Sequence, residues 1–333
     1  ELARVLREQR GRLVARLARS LGLAHLALAE DAVQTAALRA LGRWPVDGVP
    51  DNPAGWLYRV AQRAAIDALR HAAPEVAIDD EAIEPLLPAT AAHGERFRGE
   101  LDDDELALLF AACHPALPAA SQVALALRAV RGFDLSVIAD GLLTNESALA
   151  QRLARARTAL SGERLDLPAG PDLAPRRDAV LHALHLMFNA GWQAGAEAAR
   201  EICWDAIRLA RALAAHPAAT HPDADALAAL LLLHGARLTG RHDAAGEIVP
   251  LPGQPRDRWD QGMLRLGMAH LARARRAVAL SRWHLLAGIA AAHALAPDYE
   301  HTPWDRIVGF YDALLAIDDS AAPRLSHAIA LAE

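Results

Sequence analysis

LSVIADGLLTNESALAQRLARARTAL, residues Leu135–Leu160, decides the reading of this chain. Leu135, Ile138 and Ala139 suit one buried face of a short helix, and Gly141 allows the chain to turn sharply. Asn145 is a good N-cap for a second helix, in which Leu149, Leu153 and Ala156 recur at helical spacing. That second helix carries Arg152, Arg155 and Arg157. The layout is that of a helix-turn-helix, whose second helix can lie in the major groove of DNA.

The chain around it has 333 residues, enough for two or three domains. It is 53% hydrophobic, rich in Ala and Leu, and only 5% aromatic, which fits an all-α protein with ample core. No apolar run reaches the ~18 residues of a membrane span, so no membrane partner is expected. Cys113 and Cys203 are the two cysteines, too few for a disulfide framework, and a reducing cytoplasm is the expected location. The chain opens ELARVLREQR without Met or a signal-peptide pattern, as a trimmed chain would.

Every one of the 35 basic residues is Arg, and the net charge is −6. The basic character is local. Residues 1–72 hold 11 Arg against 7 acids, a net of +4, whereas residues 73–101 come to −5, residues 102–165 to −2 and the remainder to −3. Non-specific affinity for DNA should therefore be weak, because that affinity scales with phosphates neutralised.

Outward from the helix-turn-helix, residues 1–72 read as helices over Val5–Leu21, Leu26–Leu41 and Trp56–Arg70, with a Pro/Gly/Asp/Asn-rich loop over Trp44–Trp56. Residues 73–101 are an acidic linker holding Pro74, Pro85 and Pro88. A second helical unit occupies 102–165 and a short linker 166–175. From 176 to 333 the pattern is almost wholly helical, in helices of roughly 15–20 residues that suggest stacked hairpins. The pattern stops mid-repeat at Glu333, so a further repeat is expected beyond it.

Three segments in this order resemble one family. AEDAVQTAALRALGRWPVDGVPDNPAGWLYRVAQRAAIDALR (Ala29–Arg70) resembles sigma region 2. DDDELALLFAACHPALPAASQVALALRAVRGFDLSVIADGLLTNESALAQRLARAR (Asp102–Arg157) resembles sigma region 4. HALHLMFNAGW (ending at Trp192) and GRHDAAGEIVPLPGQPRDRWD (Gly240–Asp260) are similar to signatures of a C-terminal extension, with Asn189, Gly191, Trp192, Arg241, Asp243, Arg258, Trp259 and Asp260 as its motif residues. Together they resemble the extracytoplasmic-function sigma-70 factors that carry a tetratricopeptide-like helical extension.

The resemblance implies partners and roles. Glu30, Asp31 and Gln34 would meet the β′ clamp helices of core RNA polymerase, and the second unit would approach its β flap. Asn52, Trp56, Arg59, Arg63 and Arg70 would read and open the promoter −10 element, which needs a base pocket and a positive surface. Ser147, Ala148, Gln151, Arg152, Arg155 and Arg157 would face the −35 duplex. Gln can read adenine and Arg guanine, each worth ~1–3 kcal/mol of discrimination. The extension would be a regulatory or docking module with a protein partner of its own.

Blander readings stand beside these. The arginines are also what a solvated helix face looks like, Trp56 suits a core, and Glu30 and Asp31 suit a helix N-terminus. His182 and His185 share a face at i, i+3 and His114 follows Cys113, but no further ligand stands at metal spacing, so no cofactor is expected. Asp243, Glu247, Asp257 and Asp260 beside Arg241 and Arg258 point to ion pairing within a long loop. No nucleophile elbow, phosphate loop or dinucleotide fingerprint is present, which argues against an enzyme. Asp140, Ala64 and Ala68, where the family favours basic residues, keep open an alternative: a sigma-like helical-repeat scaffold for protein interaction.

Overall fold

Leucine and alanine at three- and four-residue spacing commit nearly every segment to a helix that must bury one stripe. In the computed structural model the described residues are 2–72, 104–130, 132–163, 173–193, 197–217, 219–243 and 246–333. The expected acidic linker 73–101 and most of the second linker lie outside them. Among the described residues the fold is all-α, and the nearest thing to a strand is one isolated bridge between His242 and Ile248.

The chain divides into two compact units, Glu1–Ala183 and Leu184–Glu333. In unit 1, α1 (Leu2–Leu21), α2 (Leu26–Asp47) and α3 (Pro53–Ala72) pack on one another. Then come α4 (104–112), α5 (Ala119–Leu125), α6 (Leu135–Gly141) and α7 (Glu146–Ala159). Helix α5 widens into a π turn over Ala126–Val130, and this segment packs against α1. Both halves share one core, with Leu13, Leu17 and Leu57 from the first and Phe110, Leu127, Ile138 and Leu149 from the second fully buried.

Two local expectations change. Helix α2 runs through Trp44 and Pro45 to Asp47, so the loop before α3 is shorter than expected. Trp44 is buried and packs edge-on against Trp56, ring centroids 5.4 Å apart. That packing holds the last turn despite Pro45. The helix stops at Gly48, whose φ of 84° turns its N–H onto the Trp44 carbonyl at 3.0 Å. Gly141 is likewise the last residue of α6 rather than the turn itself; the left-handed residue is Leu143, at φ 50°.

Helix α8 (Leu173–Gln193) begins in unit 1 and ends in unit 2. Unit 2 continues with α9 (Glu197–Ala215), α10 (Pro222–Gly235), α11 (Gln261–Ala274), α12 (Arg282–Leu295), α13 (Trp304–Leu315) and α14 (Ala321–Ala332). From α9 on, each helix packs on the next, and α10 also packs on α12. Helix α10 is covered all round, as its run Ala226–Leu233 of Ala and Leu requires. Between α10 and α11 lies the long loop 236–260, pinned by short 3₁₀ turns at Leu238–Gly240, Leu251–Gly253 and Arg256–Arg258.

Candidate functional site

Helix α7 has a capped first turn, a buried face and an exposed face. The Asn145 side-chain oxygen accepts the Ala148 N–H at 2.8 Å, fixing the first turn. Leu149, Leu153 and Ala156 are buried and anchor the inner face. Ser147, Gln151 and Arg155, four residues apart, are exposed on the outer face, with Ala148 and Arg152 half-buried beside them. Asp140 is exposed on the preceding helix.

Helix α3 offers a second exposed basic face. Asn52 caps it, its side-chain oxygen accepting the Gly55 N–H at 2.9 Å. Arg59, Arg63 and Arg70 are exposed. Trp56 is half-buried against Trp44, so it serves as a wall and as part of the core at once. On α2, Asp31 and Gln34 are exposed and continue into Leu38 and Leu41, 62% and 48% exposed. That polar-to-apolar stripe was legible in the spacing of residues 31, 34, 38 and 41, yet the two leucines were passed over.

Glu30 and Arg157 depart from the rest. Glu30 is 4% exposed, and its Oε2 accepts from the Arg157 guanidinium at 2.8 Å, with Arg128 Nε at 3.8 Å. The residue assigned to polymerase and the residue assigned to DNA are thus bonded to each other. Further pairs extend this seam between the two halves of unit 1. Asp104 accepts from Arg16 at 3.0 Å and Arg19 at 2.8 Å, and Glu105 lies 3.7 Å from Arg12. Helix α1 comes so close that a Cβ on Gly11 would stand 1.7 Å from the Val130 carbonyl oxygen.

The extension residues gather in unit 2. Trp192 stacks on Phe188, ring centroids 5.6 Å apart, and meets the His234 ring edge-on. Among the described residues, acids of the long loop act as caps and its arginines stack on rings. Asp243 accepts the Glu247 N–H at 2.9 Å, and Asp260 accepts the Met263 N–H at 2.9 Å as N-cap of α11. Arg241 lies over Trp192 at 4.0 Å, while Arg258 is exposed. Asn189 is half-buried and Gly191 buried on α8. Arg237 and Arg256, which sequence reasoning missed, stack on Trp259 at 5.4 and 4.8 Å. Their signal was the arginine one turn before Arg241 and the RDRW run itself.

Among the described residues, no group of three His, Cys, Asp or Glu is placed to hold a metal ion. Both cysteines are buried thiols; burial raises both, Cys203 to about 12. No described helix is long and apolar enough to cross a membrane.

Comparison with known proteins bears on the first and last of these parts. Residues 6–75 match sigma-70 region 2, and residues 176–275 match a family of unknown function, DUF6596. The chain belongs to the sigma-70 family. It is a sigma-70 chain with a C-terminal extension, as its residues led us to expect. A relative from Rhizobium meliloti (strain 1021), described as "Uncharacterized protein R00370", is 38% identical over 317 residues, covering 93% of this chain and 74% of its own. No solved structure matches this sigma-70 chain.

Proposed function

We propose that this sigma-70 chain is a factor of the extracytoplasmic-function type. In the cytoplasm it binds core RNA polymerase, directs it to a −35/−10 promoter and helps melt the DNA. The observation that carries the reading is the pairing of a sigma-70 region 2 with a capped helix that exposes Ser147, Gln151 and Arg155. Gln151 and Arg155 read −35 base edges, while Arg152 supports them from the flank. Arg59, Arg63 and Arg70 hold the −10 strand beside Asn52 and Trp56. Asp31 and Gln34, with Leu38 and Leu41, dock on the β′ clamp helices, and the second half of unit 1 meets the β flap. The protein contributes recognition, and the chemistry belongs to the polymerase. The extension is a tetratricopeptide-like stack that regulates the factor or docks a protein partner.

The Glu30–Arg157 pair supports reading the described arrangement as a resting form. Neither side chain can serve polymerase or DNA while bonded to the other, so unit 1 opens along its seam on engaging polymerase. This fits a chain whose −35 half is net negative and whose DNA affinity must come from the polymerase.

The test is run-off transcription with core polymerase over genomic fragments. The full chain should direct discrete starts, and Arg155→Ala should weaken −35-dependent starts about tenfold or more while core binding persists. Polymerase binding without any initiation would favour the second reading, a sigma-like interaction scaffold, which the exposed Asp140 and Ala68 support.

A further inference from the structure

Unit 2 contains a ladder of alternating guanidinium and indole groups in the order Arg241, Trp192, Arg237, Trp259, Arg256. The steps from guanidinium to ring centroid are 4.0, 5.7, 5.4 and 4.8 Å. Three cations thus share two aromatic rings, and among the described residues no carboxylate lies within ion-pair distance of any of them. Other arginines of the chain do have a carboxylate: Arg282 has Asp318 at 3.0 Å, and Arg16 and Arg19 have Asp104.

Its neighbours supply no hidden anion. Asp298, the carboxylate acting on Arg256 from a distance, is exposed and accepts from His301. Cys203 beside Arg241 is a neutral thiol that donates to the Phe188 carbonyl. Burial, with the nearby arginines, holds His234 at about 3 and His293 at about 4, so both rings stay neutral.

Stacking satisfies the faces of the guanidinium groups and leaves their edges. Arg237 donates Nε to Gln254 Oε1 at 3.1 Å, and Arg256 donates to the backbone carbonyls of His293 and Ala296. Arg256 Nη2 and Arg241 Nε are buried without a hydrogen-bond partner, as is the Trp259 indole N–H. Such donors occur elsewhere in the chain as well, but here three of them converge on one cluster of stacked cations, which an anion would satisfy. Guanidinium edges match the paired oxygens of carboxylates and phosphates.

We propose that the Arg237–Arg241–Arg256 cluster binds a small oxyanion with two or more negative charges, a phosphate ester or a polycarboxylate. Such a ligand supplies the missing counter-charge and accepts the free donors. The site is independent of the promoter reading, because binding is measured on the purified chain without polymerase or DNA.

The test uses the full chain in phosphate-free chloride buffer, with pyrophosphate and citrate as separate probes and sodium chloride at matched ionic strength as the reference. Thermal melting followed by titration calorimetry should show one probe raising the Tm of unit 2 by about 5 °C at saturation. The pyrophosphate arm reports a phosphoryl ligand and the citrate arm a carboxylate. Arg241→Gln should weaken binding at least tenfold, yet leave the anion-free Tm equal or higher because a repelling charge is gone. Arg155→Ala in unit 1 should leave binding intact. Arg256→Gln replaces Arg241→Gln if the latter fails to fold. The proposal is overturned if neither probe exceeds chloride, or if the folded variant responds as the parent does.

Discussion

At the scale of single residues, Asp104 offers a direct measurement of the seam. It is 1% exposed and accepts from two arginines, whose side chains are 30% and 45% exposed. Breaking a fully buried ion pair costs about 3–5 kcal/mol. Here the arginine heads reach water, which lowers the cost. Asp104→Asn is therefore expected to destabilise unit 1 by about 2 kcal/mol in urea unfolding. A change below about 0.5 kcal/mol, the range of ordinary surface substitutions, would show that the seam is decorative. Sequence reasoning could name Glu30 and Arg157 separately, because each sits in a recognisable segment. It could not join them. They lie 127 residues apart, and no local periodicity reports a bond across that distance.

Elements show where local chemistry suffices and where it does not. The cap, buried face and exposed face of α7 were all legible, since 3.6-residue spacing and an Asn before Glu146 dictate them. Asn145→Ala should cost about 1 kcal/mol and fray the first turn, so −35 binding weakens more than global stability. Equal loss of both would argue that the cap serves only the fold. The extent of α2 was not legible, because Trp44 holds the turn through packing on a residue twelve positions away. The approach of α1 to the π turn was equally invisible, as a lone glycine in a helix says nothing about what faces it. Gly11→Ala cannot keep that approach. It should part the halves of unit 1, giving a larger radius of gyration with unchanged helix content. DNA affinity without polymerase should rise several-fold; an unchanged radius would refute the resting form.

For the whole molecule, two compact units with separate cores lead us to expect two unfolding transitions rather than one. They should respond differently to pH. In unit 2, burial lowers His270, while His234 and His293 are held at about 3 and about 4. The unfolded chain takes up the protons of His234 and His293 near pH 6.5, where the folded unit does not. Stability therefore rises with pH across the window from about 4 to about 6.5 and is fully present above it. His234 and His293 each contribute about 1.4 kcal/mol per pH unit inside the window, and His270 adds in the same direction. The Tm of unit 2 should fall steeply from pH 6.5 to pH 4.5 in scanning calorimetry, and His293→Gln should flatten the slope. A parent slope no steeper than that of unit 1 would contradict this. Composition and spacing made the helical class and the order of segments readable. How the two sigma-like halves pack into one unit was not, because it is decided by contacts between distant segments.

The arginines of the unit 1 seam stand on both of its sides, and the chain has no lysine to put beside them. Guanidinium keeps its charge at every pH a cell meets. Acylation, which silences a lysine ammonium, has nothing there to modify. The guanidinium partners of the seam therefore cannot be switched by either route. What releases it must act on the carboxylates, or compete for the arginines with a more attractive anion.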